Sequence, residues 1–63
     1  MKEGRWIRKL ESGPILKKWY LNGALFKIIE ERERGGLDAE DLDGRVIVEI
    51  NMIMNQFEWV DEN

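Results

Sequence analysis

Catalysis by a nucleophile or by proton transfer needs Ser, Thr, Cys or His beside a suitable partner, and of these residue types the sequence holds Ser12 alone. Ser12 adjoins Gly13-Pro14, where a hydroxyl serves a turn through local backbone hydrogen bonds. Without Cys or His there is no disulfide, no thiolate or imidazole metal site and no catalytic dyad of those types. Carboxylates remain. Asp38, Glu40, Asp41 and Asp43 cluster, and Asp41-Leu42-Asp43-Gly44 matches the middle of a calcium-binding loop. Its ends fail, because with Gly44 at the invariant glycine the first ligand falls on Ala39 and the bidentate one on Ile50. No glycine-rich phosphate loop is present either. The chain is expected to be neither an enzyme nor the holder of a cofactor or metal.

Binding chemistry is better represented. Arg5, Arg8, Lys9, Lys17, Lys18 and Lys27 interleave with Trp6, Trp19 and Tyr20, a mixture in which cations meet phosphate and rings stack on bases. Arg8, Lys9, Lys17, Lys18, Trp19 and Tyr20 are the candidate binding residues. The pI near 4.9 argues against a dedicated nucleic-acid binder. The same aromatics, with Trp59, Phe57, Met52 and Met54, are typical anchors of protein interfaces.

Extended elements are expected to position these residues. Asn22-Gly23 between Trp19-Tyr20-Leu21 and Ala24-Leu25-Phe26 reads as a two-residue type I′ hairpin turn, pairing Leu21 with Ala24, Tyr20 with Leu25 and Trp19 with Phe26. That register sets Trp19, Leu21, Ala24, Phe26 and Ile28 on a core face, and Lys18 opposite Lys27, where two cations repel unless something negative lies against them. A break at Glu11-Ser12-Gly13-Pro14 sets off an earlier strand, so residues 5–31 read as a three-strand antiparallel meander. The competing reading is a helix from Ser12 to Arg34, which would put Asn22-Gly23 in its interior. Asp38, with acids after it and Leu37 and Leu42 as a staple, reads as one helical turn over 38–43. From Arg45 a β-branched run reads as a strand with Val46, Val48, Ile50, Met52 and Met54 on one face. Phe57 and Trp59 have the opposite parity, which predicts a bend at Asn55-Gln56 and a last short strand; a helix carrying Ile50, Ile53, Met54 and Phe57 is the alternative. The fold class is therefore mainly β (small α+β), one domain of residues 1–63 in which the three-strand meander packs with the C-terminal strand beside one short helical turn, an arrangement able to curl into a small open barrel.

Sixty-three residues bury only about 60% of the surface exposed by the unfolded chain. Lacking disulfide or metal, a chain that is 43% hydrophobic is expected to gain stability by self-association. Residues 1–29 carry seven basic and two acidic side chains, and residues 30–63 carry three and eleven, so the halves hold +5 and −8. Either the halves pair with each other, within or between subunits, or one of them faces a charged partner. No apolar run is long enough to span a membrane and no signal-peptide pattern opens the sequence, so a cytoplasmic location is expected.

Gly13-Pro14 followed by Trp19-Tyr20-Leu21-Asn22-Gly23 resembles the MORN-like hairpin repeats of some bacterial antitoxin-type and phage proteins. The likeness covers residues 13–26 in a single copy, and Ala24-Leu25-Phe26-Lys27 departs from the basic residue and histidine with which those repeats continue. It implies a hairpin and a phage or mobile-element setting, and assigns no site. The resulting expectation is a small protein–protein interaction module, such as an inhibitor or adaptor, acting as a homo-oligomer. Nucleic-acid or nucleotide binding and a purely structural oligomer subunit are the alternatives.

Overall fold

A computed structural model describes residues 2–60. Among the described residues seven strands follow one another: β1 (Trp6–Lys9), β2 (Gly13–Ile15), β3 (Lys18–Tyr20), β4 (Leu25–Glu31), β5 (Leu37–Asp41), β6 (Val46–Ile47) and β7 (Phe57–Trp59). Five of them make an antiparallel sheet in the order β6-β5-β4-β1-β7, and β2 and β3 make a separate two-stranded ribbon. The fold is thus mainly β. The sheet ends on β6 and β7 and does not close into a barrel.

β4 shows why the layers form. Phe26 and Ile28 point one way and have no exposure, while Lys27 between them faces water, which is the period-2 pattern of a half-buried strand. Ile7 on β1 joins them, in register with Phe26. Ile15 and Tyr20 on the ribbon cover this patch, with the Tyr20 ring 4.8 Å from Phe26 and the Phe57 ring edge-on to Phe26 at 5.0 Å.

Three parts of the expected meander are corrected. β3 and β4 do not pair; β3 pairs with β2, and β4 lies between β1 and β5. At Asn22-Gly23 only Gly23 has positive φ (91°), the pattern of a type II turn, which splays its flanking strands where a type I′ turn would align them. The turn is tied to β1 instead, with the Gly23 amide donating to the Lys9 carbonyl at 2.7 Å and the Lys9 amide to the Ala24 carbonyl at 2.9 Å. Of the expected core face, Phe26 and Ile28 are buried, whereas Trp19 and Leu21 are exposed.

The tight hairpin turn falls at Leu16-Lys17, both in the left-handed region (φ 48° and 73°) without being glycine. Each such residue costs on the order of 1–3 kcal/mol unless its surroundings hold it. Arg45 does so, its guanidinium donating to the Ile15 carbonyl at 2.9 Å and to the Leu16 carbonyl.

No helical turn forms at 38–43; residues 37–41 are strand β5. The acids that resemble a helix cap accept hydrogen bonds across the fold instead. Asp38 takes the Arg32 guanidinium on both oxygens (2.9 and 3.0 Å) and the Glu49 amide (2.9 Å). The strand from Arg45 stops after Ile47, since Glu49 turns the chain with φ 52°. Within that run Ile47 and Ile50 are buried while Val46 and Val48 face solvent, the reverse of the expected face for both valines. The bend before a last short strand is observed, with Gln56 at φ 54° leading into β7. Neither helical alternative occurs among the described residues.

Candidate interaction site

The best-formed polar cluster lies where the ribbon meets the β5–β6 turn. Asp41 ends β5, and its Oδ1 accepts from the backbone amides of Asp43 and Arg45, both at 2.9 Å, closing the turn on itself. Its Oδ2 reaches the ribbon, accepting from the Tyr20 hydroxyl at 2.7 Å and from Lys18 Nζ at 2.9 Å. Lys18 also donates to Asp43 Oδ2 at 3.0 Å, and the Arg45 guanidinium approaches the Tyr20 oxygen at 3.3 Å.

Burial acts to raise the Asp41 pKa, but the hydrogen bonds from Lys18, Tyr20, Arg45 and Asp43 outweigh it and hold the carboxyl far below the usual carboxylate range. Lys18 is pushed up to about 12 by its bonds to Asp41 and Asp43. Burial, then the bond to Asp41, raises the Tyr20 phenol. At the far end of β5, Arg32 and then the Glu49 amide lower the Asp38 carboxyl.

A pH profile of stability follows from these directions. Depressed Asp38 and Asp41 contribute stability above the unfolded carboxylate pKa, lost as pH falls below about 4. Raised Lys18 and Tyr20 contribute stability below their unfolded values, lost as pH climbs above about 10. Urea midpoints followed by circular dichroism should be flat from about pH 5 to about pH 9 and fall on both sides. Asp41→Asn should flatten the acid limb. An unchanged acid limb in that variant would remove Asp41 from this role.

The six candidate binding residues are dispersed. Arg8 pairs with Glu58 on β7, its Nε 2.9 Å from Oε1. Lys9 is buried, donating to the Asn55 carbonyl at 3.1 Å with its ammonium 5.9 Å from the Phe57 ring centre. Lys17 stands at the hairpin tip, exposed. Lys18 and Tyr20 belong to the Asp41 cluster, and Trp19 projects from the outer face of the ribbon, in register with Pro14. Lys18 does not face Lys27: it registers with Ile15, and Lys27 with Trp6 and Glu40. The anion expected beside Lys18 is the chain's own Asp41 and Asp43.

Around this cluster opens a groove of about 420 Å³. Tyr20 and Asp41 line its polar part, and Trp19, Leu21 and Leu42 line it with 63%, 68% and 71% of their surface exposed. Asp43, its side chain 81% exposed, stands at the rim. Sequence reasoning finds Lys18, Trp19 and Tyr20 but misses Leu21, Asp41, Leu42, Asp43 and Arg45. The overlooked signal is Asp41-Leu42-Asp43-Gly44, an Asp-initiated loop closed by a glycine at φ 87°, as fit for a hairpin as for a helix start. No family model, curated protein or solved structure matches the chain.

Proposed function

We propose that this chain is a non-enzymatic protein-interaction module that self-associates and binds an apolar peptide segment in the Trp19–Leu21–Leu42 groove. The observation that carries the reading is three large apolar side chains gathered in solvent on one groove, where a small monomer has most reason to bury them. Lys18, Tyr20 and Asp41, the groups there able to act on a bound molecule, are engaged with one another. Asp43, its side chain 81% exposed and joined to Lys18 through Oδ2, is the charge that reaches the rim, so the fitting segment pairs an apolar anchor with Lys or Arg. An inhibitor or adaptor in a phage or mobile-element setting suits such a module.

A peptide array read with the purified chain tests this. Binders should combine Leu, Ile, Phe or Trp with a basic residue, and Trp19→Ala should weaken them more than about tenfold while leaving circular dichroism unchanged. Binding indifferent to Trp19→Ala would refute the reading. Single-stranded nucleic acid that quenches Trp fluorescence with a steep salt dependence would replace it with the nucleic-acid alternative.

A further inference from the structure

The ribbon of β2 and β3 has two outer edges, and they differ. Its turn at Leu16-Lys17 closes on Ile15 and Lys18, so these two residues exchange both main-chain hydrogen bonds, and Gly13 and Tyr20 do the same two steps on. Pro14 and Trp19 form the pair between, whose main-chain polar groups point away from each other to the outer edges. On the β2 edge that residue is proline, which has no N–H to offer and so closes the edge to a further strand. On the β3 edge Trp19 keeps both N–H and C=O. β3 has β2 as its one neighbour, and neither Trp19 group has another main-chain partner among the described residues.

This open edge borders the groove, which Lys18, Trp19 and Tyr20 line together with Asp41, Leu42 and Asp43. Side chains alternate along β3: Trp19 stands on the outer face, and Lys18 and Tyr20 on the inner face reach the Asp41–Asp43 turn. Asp43 holds Lys18 through Oδ2, while its Oδ1 has no hydrogen-bond partner among the described residues. An unpaired donor, an unpaired acceptor and a free carboxylate oxygen therefore meet beside three exposed apolar side chains. A helix satisfies its own amides and carbonyls and has none to give, whereas an extended chain carries both groups on one edge at every second residue.

We propose that the groove takes its ligand as an added β-strand, an extended segment of another protein laid antiparallel along β3, with one residue exchanging both main-chain hydrogen bonds with Trp19. The inference rests on the peptide-binding reading above and gives the ligand its conformation and pattern. Residues directly opposite share a face, so the residue paired with Trp19 sets an apolar side chain beside the indole. Its two neighbours turn inward, one opposite Tyr20 and one opposite Lys18. A cation opposite Lys18 would be repelled, which leaves the position opposite Tyr20 for the Lys or Arg that meets Asp43 Oδ1. In an antiparallel strand that position comes first, so the segment reads as a basic residue followed directly by an apolar one. Main-chain bonds then supply affinity and the alternate side chains supply choice.

The blocked heptapeptide Thr-Val-Lys-Leu-Thr-Val-Thr, whose central Leu is the residue to pair with Trp19, tests this beside two singly N-methylated forms. Each is titrated into the isotope-labelled whole chain and followed by nuclear magnetic resonance. The parent should bind, and methylation of the Leu nitrogen should raise its dissociation constant more than about tenfold, because that N–H points at β3. Methylation of the Lys nitrogen, whose N–H points away, should change it less than about threefold. Saturation should slow hydrogen exchange of the Trp19 amide more than about tenfold and leave the Lys18 and Tyr20 amides, already bonded within the ribbon, as they were. Equal effects of the two methylations, or a Trp19 amide that exchanges as fast in the complex, overturn strand addition and leave the peptide-binding reading standing. A parent peptide that does not bind at millimolar concentration overturns strand addition too, and if the peptide array also yields no binder, the peptide-binding reading falls with it. A Trp19 amide protected before any peptide is added, in a chain that sediments at twice 7.5 kDa, would give the edge to a second copy and overturn the proposal.

Discussion

Asp41→Ala is expected to leave the protein barely stable at room temperature, with up to about half of it unfolded. The carboxylate, with a side chain only 4% exposed, accepts four hydrogen bonds: two from its own turn, one from the Tyr20 hydroxyl and one from Lys18. Alanine deprives all four donors at once, and an unsatisfied buried donor costs about 1–3 kcal/mol. Water will reach Lys18 and the outer amides, so a net loss on the order of 3 kcal/mol is a fair figure. A single core of this size rarely supplies more than about 3–5 kcal/mol in all. Asp41→Asn keeps an oxygen for the two turn amides and should fall between alanine and the wild type. Tyr20→Phe removes one donor and should cost about 1 kcal/mol. Urea titration gives the ranking, and an alanine variant with a wild-type midpoint would mean that the cluster decorates the fold without holding it.

Phe26→Ala should populate the unfolded state heavily even without denaturant. The ring has no exposure and sits between Tyr20 and Phe57, so it joins the ribbon, the middle of the sheet and the last strand. Phe-to-Ala changes in cores cost about 3–5 kcal/mol, as much as the domain holds. Phe26→Leu preserves most of the volume and should cost less than about 2 kcal/mol, giving a folded variant with altered near-ultraviolet circular dichroism. Trp19→Ala removes a larger ring for less than about 0.5 kcal/mol, because that side chain stands in solvent. A folded Phe26→Ala would show that the two layers are held together elsewhere.

How far the sequence could be read follows from the range of its interactions. The alternation around Phe26 and Ile28, and the parity of Phe57 and Trp59, are local consequences of one face being buried, so the β character and the last strand were legible. Strand partners were not. Asn22-Gly23 favours a hairpin wherever two adjacent strands profit from pairing, but here Phe26 and Ile28 are better buried beside Ile7, and the turn became a connection between layers. Asp38 and Asp41 carry the acceptor chemistry of a helix cap, and nothing near them in sequence reveals that Arg32, Tyr20 and Lys18 occupy it. The candidate site suffered likewise: a list of cations and rings cannot tell Lys9 under the 51–56 segment from Lys17 in water. Exposure separates them, and exposure is set by the whole fold.

The order of the strands also sets a timetable. β1 is flanked by β4 and β7, and its Arg8 is joined to Glu58, a partner fifty positions away. During synthesis the first strand is made early, gains β4 as one neighbour, and keeps its other edge bare until residues 57–59 have left the ribosome. Pairing at such sequence separations is slow, typically milliseconds to seconds, because a long loop must close before any contact rewards it. For that interval the row of amides and carbonyls along β1 is an open template for another chain, so a nascent or C-terminally clipped molecule is the form in which aggregation would begin.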